Sequence, residues 1–421
     1  MNKKTSTNAA WNSIFKKLPI SESIKAQGIF PISAAKISEL SGREPRLMAK
    51  FDQRNHRPRI LQSQGITILP ASNGRYVLLA GDGYIDIPET PEPERYPTSK
   101  LDNVRSIPWR EGIHSESQAI DSLFLASAVR FFVGDESLQP TIRGKFRSRP
   151  FDFRFSTTIG EKDITVDGAQ LEIDSGSEGD VLVLVEAKLG TVSDTIIRQL
   201  YYPFKHFEAL KIGKKIICLL LVYSNKIYSL YEFSFRSAGV YQSASISRQA
   251  HYLLEPPGAI PRFADVISSR TTQPPRGVPF PQADDLSKII DAVEILSSEP
   301  QNKFELAEKF DVDPRQGDYY GNSAIWLGLA EKSNHDFSLT QQGASFARLD
   351  RAGRLAKLTE LVTRVPIFNE AAKEYARDLE PDIHDIARRV MRDFKLSEST
   401  GERRAETVRA WIRWLSSQLR S

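Results

Sequence analysis

Five consecutive apolar residues, Val181 to Val185, run directly into a glutamate and a lysine two positions apart, Glu186 and Lys188. An unbroken apolar run reads as a strand buried on both faces. A carboxylate and an ammonium at its end are costly to bury unless metal coordination or a hydrogen-bonded pair compensates. Just upstream, Gln170-Leu171-Glu172-Ile173-Asp174 alternates polar and apolar side chains with the period of a strand. If the turn between the two strands lies at Gly179 and Asp180, Glu178 faces Val181, and Asp174 falls opposite Val185 and so beside Glu186. Neighbouring positions on paired strands are about 4.5–5.5 Å apart, so the two carboxylates would repel each other unless a cation sat between them. Lys188 points the same way as Glu186, because strand side chains alternate. Two acids able to hold Mg²⁺, with a lysine able to orient or deprotonate a water, form a minimal set for metal-assisted phosphodiester hydrolysis. A structural salt bridge at a strand end would use the same residues.

Two basic clusters suit the same substrate. Arg43, Arg46, Lys50, Arg54, Arg57 and Arg59 stand against only Glu44 and Asp52, and Arg143, Lys145, Arg147, Arg149 and Arg154 stand against Asp152. Phosphate backbones select such clusters, because each neutralised phosphate releases condensed counterions. A solvated basic face has the same composition. The chain as a whole is close to balanced, with 57 basic and 53 acidic residues and a net charge of +4.

Proline-rich stretches at 87–97 and 255–281 interrupt helix and strand alike. They divide the chain into a first domain at 1–86, a linker at 87–109, a middle domain at 110–255, a second linker at 256–283 and a last domain at 284–421. In the first, 34–40 reads as a short helix, Gly42 as a turn, 45–51 as a second helix opened by Pro45, and 66–69 and 76–79 as a hairpin. That is the order of a winged helix, whose second helix would enter a major groove. The last domain repeats the order through helices at 286–296, 304–310 and 314–329, but with few cations on the third. Tyr319, Tyr320 and Trp326 there suit a protein contact, and two-fold symmetry would make the assembly a homodimer. Helix 400–415 carries Arg403, Arg404, Arg409 and Arg413, with Trp411 and Trp414 as core.

In the middle domain, Ser115-Glu116-Ser117-Gln118 has capping-box spacing and opens a helix to about Val133. Strands follow at 151–156, 164–174 and 180–188, then a helix at 194–210 and strands at 215–223 and 226–235. This αβββαββ order, with Asp174, Val185-Glu186-Ala187-Lys188 and Ile197-Arg198-Gln199-Leu200-Tyr201-Tyr202-Pro203, resembles the PD-(D/E)XK nuclease superfamily, and more closely its type II restriction endonucleases. The flanking domains and Arg315-Gln316-Gly317-Asp318-Tyr319-Tyr320 also look like parts that accompany some restriction enzymes. The resemblance implies an α/β (α+β) restriction-endonuclease-like core with a mixed central sheet between two winged-helix domains. It further implies Asp174 and Glu186 as Mg²⁺ ligands, Lys188 as the catalytic lysine, and Glu116 and Gln199 as auxiliary groups. No proline precedes Asp174, and Glu172 and Asp167 compete with it. Ordinary helix polarity accounts equally for Glu116 and Gln199.

The implied activity is Mg²⁺-dependent cleavage of double-stranded DNA to 5′-phosphate and 3′-hydroxyl ends. The alternatives are a DNA-binding regulator with an inactive nuclease-like core and a repair or modification-dependent nuclease. One cysteine, Cys218, set in an apolar run, excludes a disulfide framework and fits a reducing cytoplasm. The first residues lack the apolar core of a secretory signal, and no stretch approaches a membrane span.

Overall fold

The computed structural model describes residues 7–420 except 73, 91–92, 97–100, 102, 108, 110–111, 161, 171, 255–258, 276 and 311, and leaves aside the side chains of Arg95, Lys145, Phe146, Glu172 and Asp174. Its centre is a mixed seven-stranded sheet. The strands run in the order Glu94–Arg95, Ala244–Leu253, Ile227–Phe235, Ile216–Ser224, Leu182–Leu189, Glu172–Glu178 and Gln139–Arg147. Leu182–Leu189 pairs parallel with Ile216–Ser224 and antiparallel with Glu172–Glu178. Its odd residues, Val183, Val185 and Ala187, pack with Ile120, Leu123 and Phe124 of the helix Glu116–Leu125. Leu182 and Leu184 pack on the opposite face with Leu200 of the helix Arg198–Leu210. The strand is therefore covered on both faces, which is why it tolerates an apolar run. Glu186 and Lys188 continue the even face toward the start of the second helix.

Several expectations need correcting. The hairpin loop is one residue longer than a turn at Gly179 and Asp180 would make it, so Glu178 lies opposite Leu182, not Val181. The stretch 164–174 is two strands: Asp163–Ala169 forms a separate ribbon with Phe151–Ser156, and Glu172–Glu178 joins the central sheet. The basic segment Gln139–Arg147 is the edge strand of that sheet. The first helix stops at Leu125 and restarts at Ala128, because Ser127 adopts a left-handed conformation (φ 64°) between them. The later helix begins at Arg198 because Asp194–Ile196 is a strand paired with Tyr84–Asp86.

That pairing joins two segments the prolines appeared to separate. Leu69, Ala71, Val77, Leu79 and Tyr84 share one apolar core with Phe151, Phe153, Phe155, Tyr201, Tyr202 and Tyr241. The linkers are packed as well. Leu101 and Trp109 are buried in the middle core, and Phe263, Phe280 and Ala283 in the C-terminal one. In the N-terminal unit, helices Ala34–Ser41 and Pro45–Ala49 precede the hairpin Ile66–Ser72 and Arg75–Ala80. The C-terminal unit holds the helices Leu286–Leu296, Lys303–Lys309 and Pro314–Trp326, then the hairpin Ala330–Ser333 and Asp336–Leu339. Tyr320 and Trp326 are buried in its core, as is Trp411, so they fill this unit and are not an exposed docking face. Among the described residues, no helix is long and apolar enough to cross a membrane.

Candidate active site

Where Leu182–Leu189 ends and Arg198–Leu210 begins, a cleft of about 540 Å³ opens between the N-terminal and middle units. Glu116, Glu186, Lys188 and Gln199 all line it. The Lys188 ammonium lies 2.9 Å from Glu186 Oε1, and Gln199 Nε2 donates to the same oxygen at 2.5 Å. Strand alternation aims Glu186 and Lys188 to one side, and Gln199, second in its helix, meets them there. Four of the five proposed catalytic residues thus converge, although they stand up to 83 positions apart in the chain, from Glu116 to Gln199.

The fifth is Asp174. Its backbone lies in Glu172–Glu178, two residues beyond Gly176, which pairs with Leu184; Glu186 stands two beyond Leu184. The Asp174 carboxylate, like that of Glu172, lies outside the described residues. Asp167 is exposed on the separate ribbon and does not line the cleft.

A carboxylate not foreseen from the sequence reaches the same lysine. Asp52 Oδ2 accepts from Lys188 Nζ at 2.8 Å, and lies 3.4 Å from Gln199 Nε2 and 3.9 Å from Lys50 Nζ. Arg198 Nη2 is 3.7 Å from the other oxygen. Asp52 had counted only as an acid offsetting a basic cluster. Its sole signal was position, a lone acid between Lys50 and Arg54 directly after an apolar Phe51.

These contacts set the charges. Burial alone would neutralise Lys188, but Glu186, Asp52 and Glu116 overcome it and raise its pKa, so the side chain is an ammonium at neutral pH. Burial likewise opposes ionisation of Asp52, yet Lys188, Arg198 and Lys50 hold its carboxyl well below the ordinary range. Glu116 goes the other way. Solvent reaches the residue from the cleft, but its carboxyl is pushed up to about 7, first by desolvation against the cleft walls; Lys188 counters this and Glu186 adds to it.

The cleft rim is cationic. Arg46, Lys50, Arg75, Arg147 and Arg198 join Lys188 in lining it, against the acids Glu116 and Glu186. Of the residues expected to touch DNA, Arg46, Lys50 and Arg147 line the cleft. Arg54 and Arg57 do not. Arg54 is ion-paired to Asp82 (2.9 Å) and Asp86, and Arg57 lies over the Tyr84 ring and donates to the carbonyl of Ile66 at 2.8 Å. Both are tied mainly to acceptors of their own unit, with Asp194 of the middle unit 3.9 Å from Arg54. Arg43 and Arg59 do not line the cleft, Arg143 is drawn toward Asp121 and Ser175, and the side chain of Lys145 lies outside the described residues.

A divalent cation suits this chemistry. Among the described residues no three acidic, histidine or cysteine side chains form a metal cluster. Mg²⁺ does not require one: it characteristically takes one or two carboxylates and completes its shell with water and phosphate oxygen. Glu186 offers a carboxylate, and Gln199 Oε1 is a buried oxygen with no hydrogen-bond partner among the described residues. With Asp174 on the adjoining strand, these are hard oxygen donors of the type Mg²⁺ prefers.

Three family models match the chain, each described as a domain of unknown function: DUF6996 over residues 8–78, DUF6997 over 79–253 and DUF7226 over 288–420. The boundary between the first two falls inside the strand Arg75–Ala80. No curated protein matches the chain, and no solved structure does.

Proposed function

We propose that the chain is a Mg²⁺-dependent endonuclease that cuts double-stranded DNA, of the restriction type and acting as a homodimer. The observation that carries this reading is the meeting of Glu116, Glu186, Lys188 and Gln199 in one cleft with a cationic rim. The middle unit is read as a restriction-endonuclease-like core, and each flanking unit as a winged helix. Support comes from helices followed by a hairpin in both flanks, although in the N-terminal one Pro45–Ala49 has only five residues and a further short helix, Arg59–Ser63, stands between it and the hairpin.

Hydrolysis adds water across the P–O3′ bond: the water oxygen joins phosphorus, and O3′ departs with a proton, leaving a 5′-phosphate and a 3′-hydroxyl. Arg46, Lys50, Arg75 and Arg147 would hold the backbone phosphates, the part of binding that carries no sequence information. Lys188, cationic at neutral pH, donates to a non-bridging phosphate oxygen and offsets the charge that grows there. Glu116, with its carboxyl pushed up to about 7, accepts and returns a proton near neutrality. Mg²⁺, held by Asp174 and Glu186, would supply Lewis-acid polarisation and a more acidic bound water.

Incubation of the full chain with plasmid DNA and Mg²⁺, followed by sequencing of the ends, tests the proposal. Cutting that vanishes with EDTA and in Lys188→Ala supports it. Tight DNA binding without cutting would favour the regulator with an inactive core.

A further inference from the structure

We propose that Asp52, contributed by the N-terminal unit, is the positioning residue of the catalytic lysine, so that the catalytic centre is a composite of two units. This rests on the reading of the cleft as a nuclease site.

Lys188 is held between two carboxylates on opposite sides of a domain boundary, Glu186 Oε1 at 2.9 Å and Asp52 Oδ2 at 2.8 Å. Glu186 sits on the same strand as the lysine, two residues away, and strand geometry alone brings them side by side. Asp52 is 136 residues distant in sequence, and its arrival demands that the units dock in one orientation.

The docking is firm on both sides of the residue. Its own carbonyl accepts from the amide of Ile196 at 2.9 Å, and the amide of Arg54 donates to Asp194 Oδ1 at 2.8 Å. Within its own unit, the carbonyl of Phe51 accepts from the Tyr84 hydroxyl at 2.8 Å. Phe51, Asp52 and Gln53 are all buried. A carboxylate anchored through the backbone before it, at it and after it is built to stay. It fixes the lysine's direction.

The contact also links recognition to chemistry. Lys50, two residues before Asp52, lines the cleft where the phosphates would lie, and Arg198, 3.7 Å from Asp52 Oδ1, does the same from the middle unit. A DNA that engages the N-terminal unit therefore presses on the segment that aims Lys188.

The test uses the full chain with duplex DNA and Mg²⁺, comparing wild type, Asp52→Glu and Asp52→Asn for kcat, KM, DNA affinity and melting temperature. For Asp52→Asn, kcat should fall by about 10–100-fold, the loss usual when a group that orients a reactive one is removed, with DNA affinity within about twofold of wild type. Asp52→Glu should recover part of the rate. If Asp52→Asn does not fold, a kcat loss in Asp52→Glu at normal affinity carries the same argument, and an unchanged kcat there refutes it. An Asp52→Asn enzyme as fast as wild type, or faster, overturns the inference; so does a loss confined to affinity and melting temperature. A wild type that cuts nothing would instead overturn the nuclease reading and take this inference with it.

Discussion

The two flanking units share an order of elements but are attached to the middle unit by different physics. The N-terminal unit shares an apolar core with it through Leu69, Val77, Leu79 and Tyr84, adds a strand pair across the boundary and supplies a carboxylate to Lys188. The core of the C-terminal unit runs from Phe263 to Leu419 and draws nothing from the middle. Its described link is polar: the buried Asp291 accepts from the amide of Thr191 at 2.9 Å and from Ser224 Oγ at 2.8 Å, and Ser287 Oγ accepts from Thr191 Oγ1. An apolar joint adds to the stability of both partners and is insensitive to pH, whereas a joint built on a buried acid depends on that acid's protonation. The first unit is thus one body with the middle unit, and the last is an attachment that solution conditions can loosen.

The sharpest way to break this contrast is truncation. Deleting residues 1–86 should abolish cleavage and unfold the middle unit. Each of the four apolar side chains named above is worth about 1.5–3 kcal/mol when buried, comparable in sum to the whole stability of a domain. A version ending near residue 281 should keep a folded middle unit, checked by circular dichroism and thermal melting. Survival of the first truncation would refute the shared core.

Point changes in the cleft come next. Lys188→Ala or Glu186→Ala should lower the cleavage rate by at least about a thousandfold while leaving DNA affinity near wild type, because both act on the reacting phosphate and not on recognition. Undiminished cutting by either would sink the site.

The rim and the joint separate two classes of arginine that look alike in sequence. Arg46→Ala with Lys50→Ala should weaken DNA binding and reduce the slope of log affinity against log salt by about 2. Arg54→Ala with Arg57→Ala should leave that slope alone and lower stability by roughly 1–3 kcal/mol, since the carbonyls of Tyr84 and Ile66 lose their partners. A salt slope that falls in the second pair would return those arginines to the DNA interface.

The smallest effect concerns the C-terminal joint. Asp291 is pushed up to about 7, chiefly by burial and further by Glu294. Its folded pKa lies above the unfolded one, so it contributes stability that is fully present below about pH 4 and is lost as pH rises through about 7. The C-terminal transition should therefore soften between pH 6 and 8 by on the order of 1 kcal/mol, and Asp291→Asn should flatten the dependence. A melting curve with no such slope in wild type would show that the joint does not rest on this acid.

Legibility in the sequence followed the range of the interaction. The strand Leu182–Leu189 was legible from five apolar residues ending in Glu186 and Lys188, because burial and strand alternation are local. Glu116 and Gln199 were legible from their own residues only as helix-start polar groups; the family resemblance, not local pattern, set them beside Glu186 and Lys188, and the sheet order brings them to one cleft. The register slipped by one because the hairpin loop closes over three residues where two were assumed, and no residue in Gly179-Asp180-Val181 marks the difference. Asp52 was misjudged because a cluster of charges reveals composition, whereas its partner Lys188 lies 136 residues away; the acceptors that hold Arg54 and Arg57 are nearer, at Asp82, Tyr84, Asp86 and Ile66, but only the folded hairpin brings them together.

The joint also has a consequence for altering what such a protein recognises. Exchanging one recognition module for another presumes a seam across which nothing essential passes. Here the seam at residues 78 and 79 cuts through a strand, and on its far side lie the carboxylate and the apolar hairpin face that the middle unit requires. A chimera joined there would trade away the carboxylate that reaches Lys188. One that keeps Phe51 to Gln53 and Ile66–Ser72 with the middle unit, and exchanges only what lies outside them, leaves the lysine its second carboxylate.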